Sequence, residues 1–363
     1  MNYRFQFDEA SFLAHHWQRT PLLIKQALPG FKSPLAPDEL AGLSMEAEVQ
    51  SRIISVRDQQ WRLETGPFTA QDFQRNDEWT LLVQQVDQLL PKVEALKRCA
   101  RFLPTWRFDD IMVSYAVDGG GVGPHFDRYD VFLLQGLGTR RWYLGDFCDD
   151  KTPRLEHESL HLLQSFSAQQ EYLLEPGDVL YVPPGLAHWG VAEGECMTYS
   201  LGFRAPRIHD LLARMTDAVI DRLAPDVLLE DAGVAHDGAA GEVTQAHIAN
   251  AKAAVINAIN ALDDGYWLAE VTSQTGALDA SDPTIILLPG DVRLRPDRSM
   301  TWIRHDHQLA LYIADESLLV SYEAHALTAA LCAGEAVSQQ PTSAPEQQVI
   351  DFLSAGNHLV NDD

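Results

Sequence analysis

From about residue 105 to Phe203 the chain reads as one short strand after another. The segments IMVSYAV, VFLLQ, RRWYLG, HLLQ, EYLLEPGD, VLYVPP and MTYSLGF are each of strand length, and no helix-length periodic run interrupts them. A parallel sheet needs a crossover helix between strands, so this stretch predicts a mainly β core, an antiparallel sandwich or barrel, rather than βαβ units. Within it, DVFLLQGLGTRRWYLG reads as two strands joined by a Gly-Leu-Gly turn. Between Asp127 and His188 there is room for about four or five strands of ordinary length.

That core carries one constellation with chemistry in it. Side chains alternate faces along an extended chain, so His125 and Asp127, two residues apart, point the same way. A bare H-x-D occurs in many chains by chance, and a lone His is more often a surface or packing residue than a ligand. Here the pair follows GGGVGP, a run free to turn sharply, and a remote partner exists in His188, set behind the turn residues Pro183, Pro184 and Gly185. Two imidazoles and one carboxylate on one face of a metal leave other positions open, the arrangement associated with non-heme Fe(II) oxygenases. A small barrel with the donors at its open mouth suits this spacing.

Arg140 and Arg141 begin RRWYLG, and on a strand one of them must face inward. A buried guanidinium is costly without an anion, so an inward Arg beside a metal pocket points to a bound carboxylate, unless both lie in solvent at a strand end. Ser114 on IMVSYAV has a hydroxyl suited to the same carboxylate, although a lone strand Ser is usually structural.

At 363 residues the chain holds two or three domains. A formal charge of −25 argues against duplex nucleic acid, which needs a basic face, and permits attraction to a basic partner. Cys99, Cys148, Cys196 and Cys332 lie far apart without a C-x-x-C, so neither a disulfide framework nor a structural zinc site is expected. The opening MNYRFQFDEASFLAHHW has no basic start followed by an apolar run, and no membrane span is evident, so the cytoplasm is the expected location.

Before the strand-rich region, Asp8 is placed to cap a helix through ASFLAHHWQ, and Pro37-Asp38-Glu39 opens another through LAGLSMEAEV. RTPLLIKQAL and SRIISVRDQQWRLETG read as strands, the second broken at Asp58-Gln59-Gln60. EWTLLVQQVDQLLPKVEALKRCARFLP has the spacing of an amphipathic helix with Pro91 kinking or dividing it. His15 and His16 are adjacent and face different directions on a helix, so they are not read as ligands.

After Pro206, RIHDLLARMTDAVIDRLA and EVTQAHIANAKAAVINAINALDD are amphipathic helices, candidates for self-association through Leu211, Leu212 and Val219. His209, His236 and His247 lack a consistent partner spacing and are not read as ligands. From about 280 strands mix with short helices, which permits a winged-helix-like module, with nothing basic to support DNA binding. His305-Asp306-His307 alternates like a ligand pair, but HDHQ looks like a hairpin turn.

VDGGGVGPHFDRYDVFLLQGLGTRRWYLG, LEPGDVLYVPPGLAHWGVAE and MTYSLGFRAP together resemble the bacterial JmjC-type ribosomal oxygenases that hydroxylate an arginine of large-subunit ribosomal protein L-sixteen. The resemblance is strong over 105–206, extends to HHWQRTPLLIKQAL and PDELAGLSMEAEV, and is weak beyond about 210. It implies a double-stranded β-helix of the JmjC and cupin-like kind, with residues 1–206 forming the catalytic domain around a barrel core at about 105–206. A helical dimerisation region over 207–280 and a C-terminal winged-helix-like α+β domain over 281–363 would follow, in a homodimer with no membrane or DNA partner. By the same resemblance His125, Asp127 and His188 hold Fe(II), Arg140 binds the distal carboxylate of the cosubstrate 2-oxoglutarate with help from Ser114, and O2 is the oxidant. The implied target is the β-carbon of an arginine, whose guanidinium Asp118 or Asp130 is available to hold. Thr198 stands where relatives can carry an amide residue. Two other classes compete: a cupin-like metalloenzyme acting on a small molecule, which leaves the large C-terminal half without a purpose, and a silent barrel serving as an interaction module, which leaves the donor set without one.

Overall fold

The computed structural model describes residues 3–57, 60–157, 159–234, 238–262, 265–273 and 285–362. The break expected at Asp58-Gln59, His236 and the boundary near residue 280 lie outside these residues. Two compact units divide the chain, residues 1–205 and 206–363.

The first unit is built on one nine-stranded antiparallel sheet. Its strands are β1 (Leu22–Ile24), β2 (Ser51–Arg57), β3 (Gln60–Thr65), β4 (Glu78–Val83), β5 (Phe108–Ala116), β6 (Asp130–Phe147), β7 (Gln170–Leu174), β8 (Val179–Val182) and β9 (Leu186–Phe203). They run in the order β1-β8-β6-β9-β5-β4-β2-β3, with β7 also beside β6. Strand β6 pairs with β9 along most of its length, while β8 pairs with its first half and β7 with its second. The antiparallel core expected from the sequence is therefore present.

Its strands are fewer and longer than read. GLG is not a hairpin turn: β6 continues through it for 18 residues, and register shifts mark the place instead. Gly138, at φ +60, has Glu195 O 2.0 Å from where a Cβ would lie, so the backbones approach too closely for any side chain. HLLQ contributes a single bridge, Arg154 to Leu163, not a strand. Between Asp127 and His188 three strands thus fill the space assigned to four or five.

EWTLLV is strand β4, not the start of a helix. It lies between β2 and β5 with every residue from Trp79 to Val83 buried, and burial on both faces removes the alternation that would have marked it. The helical character begins only at α3 (Val86–Leu89) and α4 (Pro91–Glu94), which Pro91 separates. Upstream, Asp8 caps α1 (Glu9–His15) by accepting from Ser11 N at 3.0 Å, and α2 (Pro37–Leu43) opens on its proline. Helix α1 lays Phe12 edge-on against Tyr181, centroids 4.8 Å apart, and beside Phe132 on the apolar face of β6 and β8.

Asp110 on β5 is a latent pH dependence of this unit. Burial pushes its pKa up to about 6, the neighbouring Asp109 adds to the rise, and donation from Gln85 N opposes it. The unfolded chain would release the same proton near pH ~4, so the group's contribution is complete below that and is lost as pH rises towards the folded value. Asp110→Asn is expected to remove this decline, which melting temperatures measured from about pH 4 to 7 would register as a flatter profile than the parent's.

The second unit contains α5 (Ile208–Arg222), α6 (Gln245–Asn260) and α7 (Tyr266–Ser273), the first two where amphipathic spacing placed them. Strands β10 (Asp291–Leu294), β14 (Val337–Ser338) and β15 (Leu359–Asn361) form one small sheet, and β11 (Met300–His305), β12 (Gln308–Ile313) and β13 (Glu316–Ser321) another. Helices α8 (His325–Cys332) and α9 (Ala344–Ala355) bury Leu331, Ile350 and Leu353 with them. Asp306, at φ +52, turns the β11–β12 hairpin, so His307 is a turn residue as expected. Among the described residues no helix is long and apolar enough to cross a membrane.

The three positions named for self-association do not behave alike. Leu212 is exposed, Leu211 is half-buried, and Val219 is buried. Leu212→Asp is therefore expected to leave the melting temperature near the parent's, whereas Val219→Asp puts a charge into the interior and should cost more than about 3 kcal/mol. Thermal melts of the two variants separate these outcomes.

Candidate metal centre

His125 and Asp127 reach the site from an extended connection between β5 and β6, not from a strand. Isolated bridges, Gly121 to Val191 and His125 to His188, hold that connection against β9. His125 N donates to His188 O at 3.1 Å and His188 N to His125 O at 2.8 Å, so the two histidines sit directly opposite. Gly185 N donates to Asp127 O at 2.7 Å, which requires the turn after Pro183-Pro184 to pass through φ +82, a conformation glycine adopts freely.

The three side chains converge. One ligand atom from each of His125, Asp127 and His188 lies within 4.8 Å of the others, and the imidazole centroids are 4.3 Å apart. His188 Nε2 stands 3.6 Å from Asp127 Oδ2. Donors held at about 2 Å from one ion are about 3 Å apart at neighbouring positions, so a slight closing of the side chains suffices.

Backbone carbonyls select the tautomers. His125 Nδ1 is 2.9 Å from Gly123 O and His188 Nδ1 is 2.9 Å from Leu186 O. A carbonyl only accepts, so each Nδ1 carries the proton and each Nε2 keeps a lone pair for a cation. Burial, reinforced by His125, lowers the pKa of His188 to about 4, which keeps it neutral and able to ligate near pH ~7. The Tyr129 hydroxyl pairs with Asp127, and burial first and that carboxylate second push the Tyr129 pKa up.

Arg140 is the inward arginine. It is 3% exposed and its Nη1 donates to Ser114 Oγ at 3.1 Å and Thr198 Oγ1 at 3.3 Å. Its Nε has no hydrogen-bond partner, and no carboxylate among the described residues pairs with it. Burial lowers its pKa, yet guanidinium remains charged in proteins. Arg141 faces the other way and pairs with Glu171 and Glu193.

Two neighbours escaped the sequence reading. Trp142, on the same face as Arg140 by plain alternation, has its ring 5.3 Å from the Arg140 Cζ and 5.9 Å from the His188 ring. It lies flat over Gly190, where a Cβ would come within 2.8 Å of the indole, and its buried Nε1 lacks a partner. Gln135 supplies an amide beside Thr198, Oε1 to Oγ1 3.0 Å, and alternation from Arg140 would have put it on the far face.

The acidic residues considered for a substrate guanidinium fare differently. Asp130 is fully buried, bound to Tyr181 Oη at 2.6 Å, Arg107 Nη2 at 3.1 Å and Gln18 Nε2 at 3.1 Å. It ties β6 to its neighbours instead. Asp118 is exposed and accepts from Gly194 N at 2.7 Å.

An antiparallel barrel-like sheet presenting two imidazoles and a carboxylate beside a buried arginine is the JmjC class of fold, and the JmjC domain family model matches residues 95–211. The E. coli (strain K12) ribosomal protein uL16 3-hydroxylase is 45% identical over 222 residues, which are 61% of this chain and 59% of that protein. The chain thus aligns with less than two thirds of that relative's length. The crystal structure of E. coli ribosomal oxygenase YcfD superposes with a TM-score of 0.80 at 32% identity, covering 100% of both chains. A YcfD structure in complex with cobalt and 2-oxoglutarate gives 0.76 at 33% identity, covering 97% of each. The chain belongs to the JmjC-type ribosomal oxygenase family.

Proposed function

We propose that this protein is an Fe(II)- and 2-oxoglutarate-dependent hydroxylase of ribosomal protein uL16, the large-subunit protein L-sixteen, acting on the β-carbon of an arginine. The observation that carries the reading is Arg140: a buried cation without a protein anion, bonded to two hydroxyls, beside three convergent metal donors. Burying such a group is costly until an anion completes it, and a dicarboxylate with one end on the metal has its other end free to do so. The name of the E. coli relative and the cobalt and 2-oxoglutarate complex of YcfD support the same assignment.

The donor set fits iron, with two neutral imidazole Nε2 atoms and one carboxylate. His125, Asp127 and His188 would hold it, and Ser114 and Arg140 would receive the distal carboxylate. Bound iron with 2-oxoglutarate and O2 supplies the oxidation, in which the cosubstrate becomes succinate and carbon dioxide and one oxygen atom enters a C–H bond. The chain's own contribution is placement. The carbonyls of Gly123 and Leu186 fix both imidazole tautomers, Trp142 closes the wall between Arg140 and His188, and Tyr129 orients the carboxylate of Asp127.

The setting of the reaction follows the same reading. The partner is a basic ribosomal protein, which the formal charge of −25 would attract, and the place is the cytoplasm, without a membrane or DNA partner. Residues 1–206 would be the catalytic domain, 207–280 a helical dimerisation region and 281–363 a winged-helix-like domain. Exposed apolar side chains on α5 and α6, among them Ile208, Leu212, Ile220 and Val255, favour pairing of two copies. Mass spectrometry of ribosomal proteins from cells with and without this protein tests the function: one added oxygen on uL16, present only with it, is expected, and identical spectra would overturn the reading.

A further inference from the structure

Gln135 and Arg140 are five residues apart on β6, so a regular strand would point them to opposite faces. They meet instead around one hydroxyl. Between them the pairing with β9 shifts register at Gln135/Leu137 and again at Leu137/Thr139, where Gly138 takes its positive φ. The irregularity turns the phase of the strand and brings Gln135 to the buried space that Arg140 occupies.

The hydrogen bonds there have a determined direction. Gln135 Nε2 donates to Leu137 O at 2.9 Å and to Gly138 O at 3.3 Å. Since carbonyls only accept, Oε1 is left as the acceptor end of the amide. Thr198 Oγ1 at 3.0 Å must direct its single proton to that oxygen, which leaves its lone pairs for Arg140 Nη1 at 3.3 Å. Ser114 Oγ takes the same Nη1 at 3.1 Å, so the guanidinium is held at one edge while Nε stays unpartnered.

We propose that Gln135 is a positioning residue for 2-oxoglutarate: by fixing the Thr198 proton it holds the Arg140 guanidinium with its remaining donors turned to the distal carboxylate. The inference rests on the reading of Arg140 as the carboxylate anchor. The amide that orders the hydroxyl also ties down the strand irregularity, so the local fold of β6 and the ligand site share one set of bonds. Without it the Thr198 hydroxyl is free to rotate its proton towards the cation, a repulsive arrangement.

Calorimetric titration of the Mn(II)-loaded protein with 2-oxoglutarate tests this without turnover. Thr198→Val keeps the shape, removes the hydroxyl and leaves the carbonyls of Leu137 and Gly138 untouched; it should weaken 2-oxoglutarate about tenfold. Thr198→Ser should stay within about twofold of the parent, and Gln135→Met should weaken binding as much as Thr198→Val. The double variant should be no worse than either alone, because both break one chain of bonds. Mn(II) affinity, and binding of 2-oxobutyrate, which lacks the distal carboxylate, should not move in any of them; a general loosening of the barrel would change both. Thr198→Val and Gln135→Met proteins that bind 2-oxoglutarate like the parent, while Arg140→Ala does not, overturn the role of Gln135. If Arg140→Ala also binds like the parent, the carboxylate-anchor reading itself has failed. Should Gln135→Met not fold, the Thr198→Val result decides, since the proposal requires that hydroxyl.

Discussion

His188→Ala is expected to lower affinity for a divalent metal by more than about 100-fold, because even the outer-shell partners of metal ligands are worth about 10–100-fold. His188 is the one buried member of the three residues that could hold the ion. It stands at the start of β9, buried, with Nδ1 committed to Leu186 O and its backbone bonded in both directions to His125. Removing the imidazole also leaves a cavity, and that cost of about 1–3 kcal/mol has to be separated from loss of the metal. Melting with and without metal does so. At metal concentrations about 100 times the parent's dissociation constant the parent gains about 2.7 kcal/mol, whereas the variant should gain no more than about 0.4 kcal/mol. A variant stabilised by metal as strongly as the parent would place the centre elsewhere.

Arg140→Ala should weaken 2-oxoglutarate binding by about 2–5 kcal/mol, the range for removing one partner of a buried, hydrogen-bonded charge pair. That corresponds to an affinity loss of about 30-fold to several thousand-fold. Arg141→Ala, one residue away, should leave the affinity almost unchanged, since that side chain pairs with Glu171 and Glu193 on the outer face, where ion pairs contribute little. The comparison is sharp because the two residues share composition, charge and strand, and differ only in the face they occupy. Equal losses in the two variants, read by calorimetry, would exclude Arg140 as the specific anchor.

The donor residues were legible because their chemistry is carried by residue type and short spacing. His125 and Asp127 two apart, His188 behind a Pro-Pro-Gly turn and an arginine pair on a strand remain recognisable whatever the surrounding backbone does. Element type was less secure where burial removes periodicity. Trp79 to Val83 are buried on both faces in the centre of the sheet, and without alternation they read as the start of the amphipathic helix that follows. Gly136-Leu137-Gly138 carries the composition of a turn, yet it is an irregularity inside an 18-residue strand, since glycine allows a close backbone approach as readily as a reversal.

What the sequence by itself determined is the β character of residues 105–203, the three residues that could hold a metal, and the choice between two arginines that one face or the other must resolve. Tertiary structure decided which faces those are and what else reaches them. Strand parity is a local rule that holds only while the ladder is regular, so Trp142 follows from Arg140 by counting, whereas Gln135 lies across two register shifts and no count predicts it. Burial is likewise set by neighbours distant in sequence: Asp130 looked available at a mouth until Gln18, Arg107 and Tyr181 enclosed it, and Val219 shares a helix with the exposed Leu212 but is buried. A side chain's type fixes what it can bond, and only the packed chain fixes whether that bond is made to the protein or left for a ligand.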